Sequence, residues 1–391
     1  MEKGILLQEQ FKHIDLNLIR PPFDSEATNL IIQLDYLRRR TLSGTTPPHI
    51  FFQIKHIFHI LESIGSARIE GNRTTILEYI ETKIDPSQRR SETIAEIMNM
   101  ESALEFLDEN IADEPITRSI ISRIHEIIVN DLSLTQEGSK TPGVYRNSPI
   151  GIAGAKFTPP DGIQVQSYMD ELIDFINRKD KPQYDLLKIA IAHHRFVWIH
   201  PFDNGNGRTV RMLTYAMLVR SGFRVDKHRI INPTAVFCYD RDEYYRHLAL
   251  ADSGTDKDML NWCTYMLAGL KREIEKVDNL LDYSYLKTRV VLPAINQSHE
   301  RKQITDAEYR ILKLVTEKKQ IKNSDVQRIL PGKNPTDISR ILRNLRRKNM
   351  LLQNHEKGRK YILNFRNNYL LRGIMSALAY EGFIPKSEMN E

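Results

Sequence analysis

The chain has 391 residues, 41% hydrophobic and 27% charged, a length that supports two or three domains and a balance ordinary for a soluble protein. No apolar run is long enough to span a bilayer, the start Met1-Glu2-Lys3-Gly4 lacks a charged-then-apolar leader, and two cysteines, Cys238 and Cys263, make no disulfide framework; a reducing cytoplasm is the expected compartment. The net charge of +6 is uneven: residues 291–391 carry 20 Lys and Arg against 10 Asp and Glu, the residues before them 36 against 40, so a basic module with an anionic partner is expected at the end.

Residues 1–48 begin with Arg20-Pro21-Pro22-Phe23, whose prolines favour an extended approach, then run helical from Ser25 to Arg40 before a Thr- and Pro-rich loop, Thr41 to Pro48. From His49 to Ile69 the apolar residues Ile54, Ile57, Phe58 and Leu61 keep helical spacing, and Gly71-Asn72 stops the run. Ser66 and Glu70 stand four apart near its end, on one face. Helices are expected over Thr75–Thr82, Ser91–Leu107 and Ile116–Asn130, with Ile and Leu stripes for a core. Between Gly143 and Pro160, glycines alternate with β-branched residues until two prolines stop the run. This segment, which includes Ile152 and Gly154, reads as a short hairpin. Gln166–Arg178 is the next helix.

Two apolar helical runs follow, Asp185–Ile199 and Thr209–Arg220, joined by His200-Pro201-Phe202-Asp203-Asn204-Gly205-Asn206-Gly207-Arg208-Thr209-Val210-Arg211. A loop that leaves one helix and opens the next suits an anion, because the free N–H groups and the dipole at a helix start favour negative charge. In Gly205-Asn206-Gly207 the glycines let the backbone approach a ligand without a Cβ clash. Arg208 and Arg211, three apart, share a face, and two guanidinium forks suit a polyphosphate. His200, neutral near pH 7, can take a proton from an attacking hydroxyl. Asp203 and Asn204 offer oxygens to a hard cation such as Mg²⁺ bridging two phosphates. The set describes phosphoryl-type transfer. A P-loop is excluded, because no Gly-Lys-(Ser/Thr) follows the glycines, and His193, His194 and His200 lack the further ligands of a zinc site.

Asn232–Asp252 carries Tyr244-Tyr245, and Met259–Tyr285 closes the helical body as one helix or a pair. The basic end has another design. Helices are expected over Asp306–Thr316, Asn323–Ile329 and Asp337–Lys348, the last with Thr336 as N-cap. Leu351–Leu363 reads as strand, turn, strand, so the module is a winged helix. Its third helix carries Arg340, Arg343, Arg346, Arg347 and Lys348; its wing carries Lys357, Arg359 and Lys360. Two readings of this surface stay open: DNA binding, and a protein-docking or dimer module. Asn367–Ala379 is one more amphipathic helix.

The His200 stretch resembles the signature of the Fic family, His-x-Phe-x-(Asp/Glu)-Gly-Asn-Gly-Arg-x-x-Arg. Every specified position matches except one: Asn204 stands where the family has its acidic metal ligand, and the acid comes one place earlier, at Asp203. The resemblance implies a mainly α fold: a Fic core with a short β-hairpin flap over 49–290, a helical extension over 1–48, and the winged helix with a terminal helix over 291–391. It implies transfer of AMP from ATP, with Mg²⁺, to a Ser, Thr or Tyr hydroxyl of a target protein. His200 would be the base. Asn204, with Asp203, would hold the metal. Gly205, Asn206, Gly207, Arg208 and Arg211 would hold the phosphates, and Tyr244 and Tyr245 would meet the nucleoside. Adenosine-binding relatives often have Asn at the position of Asp252. The flap, at Ile152 and Gly154, would grip an extended target segment by strand addition. The string Ser66-Ala67-Arg68-Ile69-Glu70-Gly71-Asn72 resembles the family's inhibitory motif, (Ser/Thr)-x-x-x-Glu-(Gly/Asn), which implies that Glu70 pairs with Arg211 in the place of the γ-phosphate. The alternatives are a DNA-binding regulator whose Fic core senses nucleotide, transfer of another nucleotide such as UMP, and AMP removal; a homodimer is also compatible.

Overall fold

The computed structural model describes residues 11–39, 44–84, 91–152, 157–223, 231–353, 359–365 and 367–383. Contacts group them into two units. The first draws on residues within 1–41, 59–73 and 91–275; the second on 42–58, 74–90 and 276–391. This interleaving differs from the linear division at 48 and 290 that the sequence suggests. Helix α2 (Pro48–Ile69), which follows α1 (Glu26–Arg39), contributes its two halves to different units, and α3 (Ile76–Ile84) belongs to the second.

The first unit is helical. After α1 and the end of α2 come α4 (Glu92–Asn110), α5 (Arg118–Ile128), α6 (Gly162–Asn177), α7 (Asp185–Ile199), α8 (Asn206–Arg220), α9 (Thr234–Cys238), α10 (Arg241–Ala251) and α11 (Asp256–Asp278). Helices α7 and α8 are buried on nearly every side, including the polar residues His193, Arg208 and Arg211. A helix apolar all round belongs in the middle of a unit. Here α4 and α5 pack on α8, α6 packs on α7, and Trp262 of α11 donates its indole N–H to the Ala190 carbonyl at 2.7 Å. The hairpin expected between Gly143 and Pro160 is not seen in its described parts: residues 144–152 and 157–160 carry no strand. Gly154 lies outside the described residues.

In the second unit α12 (Tyr283–Tyr285) runs through a π-helical turn, Leu286–Val291, into α13 (Leu292–Glu300). Then come α14 (Asp306–Lys318), opened by a Thr305–Glu308 capping box, α15 (Asn323–Ile329) and α16 (Pro335–Arg347). The cap of α16 is Asn334, whose side chain accepts from Asp337 N at 2.8 Å, and not Thr336; Pro335 supplies the first helical residue, where its missing N–H costs nothing. Strands β1 (Leu351–Gln353) and β2 (Tyr361–Leu363) pair antiparallel, with Leu351 opposite Leu363, and Tyr361 also bridges Ile321. The last helix, α17 (Asn368–Tyr380), packs along α13 and α3. Gln53 in the first half of α2 caps the end of β2: its amide donates to Leu363 O at 3.1 Å and accepts from Phe365 N at 2.5 Å. These bonds place residues 42–58 with the C-terminal elements. No helix among the described residues is long and apolar enough to cross a membrane.

Helices α13 and α17 approach closely because Gly373 has no side chain: a Cβ there would lie 2.7 Å from the Ala294 Cα. Gly373→Leu is expected to destabilise the second unit by about 1–3 kcal/mol through overpacking, read as a lower melting temperature.

Candidate active site

Helix α7 ends at His200 with the backbone turned left-handed, φ 51 and ψ 62, immediately before Pro201. That conformation is strained for a non-glycine residue. Arg146 holds it. Its Nε donates to the His200 carbonyl at 2.8 Å, Nη2 to Pro160 O at 2.7 Å and Ile199 O at 3.1 Å, and Nη1 to Ser148 O at 2.8 Å. Its backbone N–H reaches Pro201 O at 2.8 Å. One buried guanidinium therefore satisfies four carbonyls of irregular backbone, which would otherwise be left without donors. Sequence reasoning passed over Arg146; the available signal was a proline-rich segment whose carbonyls need a donor from elsewhere.

His200 Nδ1 faces the Val197 carbonyl at 3.3 Å. A carbonyl only accepts, so the proton sits on Nδ1 and the Nε2 lone pair is free. Burial pushes this imidazole down to about 4; the Val197 carbonyl opposes the shift and Arg146 assists it. His200 is thus neutral near pH 7, as a proton acceptor must be.

The loop after His200 is braced from within. Phe202 N donates to Asn206 Oδ1 at 2.9 Å, and Asn206 Nδ2 returns a bond to Phe202 O at 2.8 Å. The Phe202 ring stacks on His125, centroids 3.8 Å apart. His125 Nδ1 accepts from Gly143 N at 2.8 Å and its Nε2 faces Asn204 O at 3.0 Å, so it pins two loops at once. No motif singles it out in the sequence. Gly205 opens α8 at φ 73, in the left-handed region that favours glycine.

The expected metal ligands divide here. Both Asp203 oxygens are engaged by the neighbouring loop: Ser139 Oγ and Asn204 N donate to Oδ1, and Lys140 N donates to Oδ2 at 2.7 Å. Asp203 thus braces residues 139–140. Among the described residues Asn204 Oδ1 accepts only from Gly205 N, at 2.7 Å, while its Nδ2 donates to Gln136 O and Gly138 O. A carbonyl oxygen has a second lone pair, so Asn204 fits a cation as a single neutral ligand.

Arg208 and Arg211 are buried in the first turns of α8. Arg208 pairs with Glu96 at 3.1 Å and Glu137 at 2.7 Å. Arg211 Nε donates to Ser66 Oγ at 2.7 Å, and its Nη2 reaches Ser66 O at 3.0 Å and Glu70 Oε1 at 2.7 Å. Glu70 and Ser66 thus both meet Arg211. The Glu70 carboxylate lies against the backbone of Gly207: a Cβ on that glycine would fall 2.1 Å from Oε1. Burial raises the Glu70 carboxyl, but Arg211, with help from Arg208 and His200, wins and holds it below its ordinary value. Arg208 Nε and Arg211 Nη1 are buried with no hydrogen-bond partner among the described residues, so the cradle keeps donors to spare for an anion. Upstream on α2, Glu62 is buried and accepts Thr234 N on both oxygens, at 3.0 and 3.1 Å, which ties the helix just before Glu70 to α9.

The tyrosines also separate. Tyr244 is 2% exposed and its hydroxyl meets His193 Nε2 at 2.9 Å, packed among Phe237 and Trp262. It packs in the core; helical spacing alone cannot tell an inward ring from an outward one. Tyr245 is 41% exposed, lies under Arg241 at 5.5 Å, and feels the charges of Glu70 and Arg211. Asp252 is taken by His194 Nε2 at 2.9 Å.

Two outcomes follow from the buried groups. His200 and His125 are held at about 4 against 6.5 for a free imidazole. The unfolded chain takes up these protons first, so the stability present above pH 6.5 is lost as pH falls toward 4. Burial pushes Glu62 the other way, from 4.5 to about 8, so its contribution is lost as pH rises across that range. Denaturant unfolding across these pH values should show His125→Gln flattening the acid limb and Glu62→Gln the alkaline limb. Arg146→Ala is expected to cost about 3 kcal/mol in the same assay, since it strands buried carbonyls, and Arg146→Lys to recover little of it.

Residues 115–218 match the family model described as Fic/DOC family. The chain is 27% identical over 264 residues to the protein adenylyltransferase Fic of Nematostella vectensis, covering 66% of this chain and 53% of that one. It is 27% identical over 207 residues to the protein of the same name from Aedes aegypti, covering 51% and 37%. The chain thus spans about half the length, or less, of these curated relatives. Among solved structures it resembles a Fic family protein from Desulfovibrio desulfuricans G20, with TM-score 0.54 and 19% identity over 88% of this chain and 98% of that one. A Fic domain-containing signaling protein from Bacteroides thetaiotaomicron gives TM-score 0.51 and 21% identity over 66% and 98%. The matched segment runs from just before α5 to the end of α8 and contains His200, the glycine turn and both arginines. Residues 115–218 are thus similar to the Fic/DOC family, and the mainly helical fold is that of the solved Fic structures.

Proposed function

We propose that the chain is a protein adenylyltransferase, restrained by its own Glu70. The observation that carries this reading is the Glu70–Arg211 pair at 2.7 Å, seated on the glycine turn of α8 beside a neutral imidazole. A carboxylate in that position fills the space where a helix start would otherwise receive phosphate. ATP is the donor that the relatives' names support.

In the reaction, an oxygen of a Ser, Thr or Tyr hydroxyl attacks the α-phosphorus of ATP. The bond from that phosphorus to the bridging oxygen breaks, pyrophosphate leaves, and the hydroxyl proton passes to His200 Nε2. The clamp by Arg146 fixes the direction of that lone pair. Backbone N–H groups of the α8 start, with Arg208 and Arg211, stabilise charge on the phosphates. A divalent cation such as Mg²⁺ would be held by Asn204 and would add charge neutralisation there. Tyr245, the exposed ring of the pair, serves the nucleoside. The target segment would lie along residues 148–152 and 157–160, with Ile152 as a flap contact. Glu70 restrains the reaction by occupying Arg211 and the surface of Gly207, so a γ-phosphate cannot settle there.

The test is incubation of the full chain with α-labelled ATP and a host lysate. Glu70→Gly is expected to place label on protein, and His200→Ala in that background to lower it by about 100-fold or more. γ-Labelled ATP should transfer nothing. Absence of label from Glu70→Gly protein, with the fold intact by circular dichroism, would overturn the reading; displacement by UTP in preference to ATP would replace the nucleotide.

A further inference from the structure

The second unit ends in a module that the chemistry at His200 does not use. Its elements run helix α14, the Ile321 bridge, helices α15 and α16, then strands β1 and β2, with Tyr361 of β2 paired to Ile321. That is a helix-turn-helix backed by a β-wing. Its core is closed: Ile311, Leu312, Val326, Ile338, Leu342 and Leu345 are buried.

Helix α16 has two faces. At about 100° per residue, Ile338, Leu342 and Leu345 fall together on the buried side. Thr336, Arg340, Arg343 and Arg347, spaced four, three and four, form a stripe opposite to them, and all four are exposed. Arg346 is exposed beside this stripe, and Lys333 stands in the turn before the helix. Arg340 meets Asp337 of its own helix at 2.9 Å. Arg343, Arg346 and Arg347 form no ion pair among the described residues. From Arg340 to Arg347 the stripe is about 10 Å long at 1.5 Å per residue, close to the ~12 Å width of a B-DNA major groove. Arg359 and Lys360 precede β2 on the wing, and Arg359 is exposed.

The alternative, a protein-docking face, needs an apolar anchor that desolvates. Helix α16 exposes no large hydrophobic residue. Its outward side offers guanidinium groups that suit phosphate oxygens and guanine edges. We propose that this module binds duplex DNA, with α16 in the major groove, Arg343 and Arg347 in contact with the duplex, and Arg359 with Lys360 on the flanking backbone. The proposal stands apart from adenylyl transfer, so either can fail without the other.

The test is fluorescence anisotropy of the full chain with a labelled duplex of about two helical turns, measured across a salt series. Wild-type protein is expected to bind, with log K falling against log salt by about 0.9 per phosphate neutralised. Arg343→Gln with Arg347→Gln should weaken binding about tenfold or more and reduce the salt slope by about two. A charge-matched control, Lys179→Gln with Lys181→Gln in the first unit, should bind as wild type does. Circular dichroism melting confirms that the paired arginine variant is folded. Failure of the wild type to bind duplex at low salt, equal binding by the two variants, or equal displacement by polyglutamate and duplex would overturn the proposal.

Discussion

A carboxylate from the turn just after α2 rests on a guanidinium from α8 at 2.7 Å, over a residue that has no side chain. The site depends on this arrangement. Burial alone would discharge Glu70, and Arg211 with Arg208 keeps it ionised. In return Arg211, 1% exposed, is compensated by the only acid that reaches it directly among the described residues. A buried pair of this kind is a poor source of net stability, because desolvation offsets most of the attraction. It is better understood as a device for holding position: each partner is costly to leave alone, so each fixes the other.

The second constraint is conformational. A histidine in a left-handed conformation before a proline would relax if it could, and the backbone around it has no ladder to hold it. Arg146 and His125 supply what a sheet or helix would have supplied. Arg146 ties residues 148, 160, 199 and 200 into one unit; His125 joins Gly143 to Asn204 and lies flat on Phe202. Both rely on donors and acceptors being fully used, so the imidazole of His200 is aimed by its surroundings and keeps only Nε2 free. Asp203 belongs to this framework as well, through Ser139 and Lys140.

The basic module follows the opposite logic. Its Arg343, Arg346 and Arg347 are exposed, with no ion pair among the described residues, on a helix whose inner face is plainly apolar. Uncompensated surface charge costs little in water, so such a stripe is available for an external anion. Around His200 the cations are buried and met by internal acids; on α16 they are left to solvent. The same residue type therefore serves two purposes, distinguished by burial.

By itself the sequence determined the helical body, the His200 loop with its glycines and arginines, and the basic end helix, because each is a local pattern: a period, a turn residue, a spacing of three or four. It also carried the Ser66–Glu70 spacing, and the motif resemblance supplied the partner. Tertiary structure decided what local pattern cannot encode. Tyr244 and Tyr245 are neighbours on one helix, and only packing against His193 and Trp262 sends the first inward. Asp203 and Asn204 are adjacent acceptors, and only the approach of residues 136–140 turns one into a brace and leaves the other a spare lone pair. Arg146 and His125 gained their roles from carbonyls and amides far away along the chain, and the grouping of residues 42–58 and 74–90 with the C-terminal elements came from long-range packing. The dividing line is physical: periodicity and turn chemistry act over a few residues, whereas hydrogen-bond satisfaction and burial are settled only when distant segments meet.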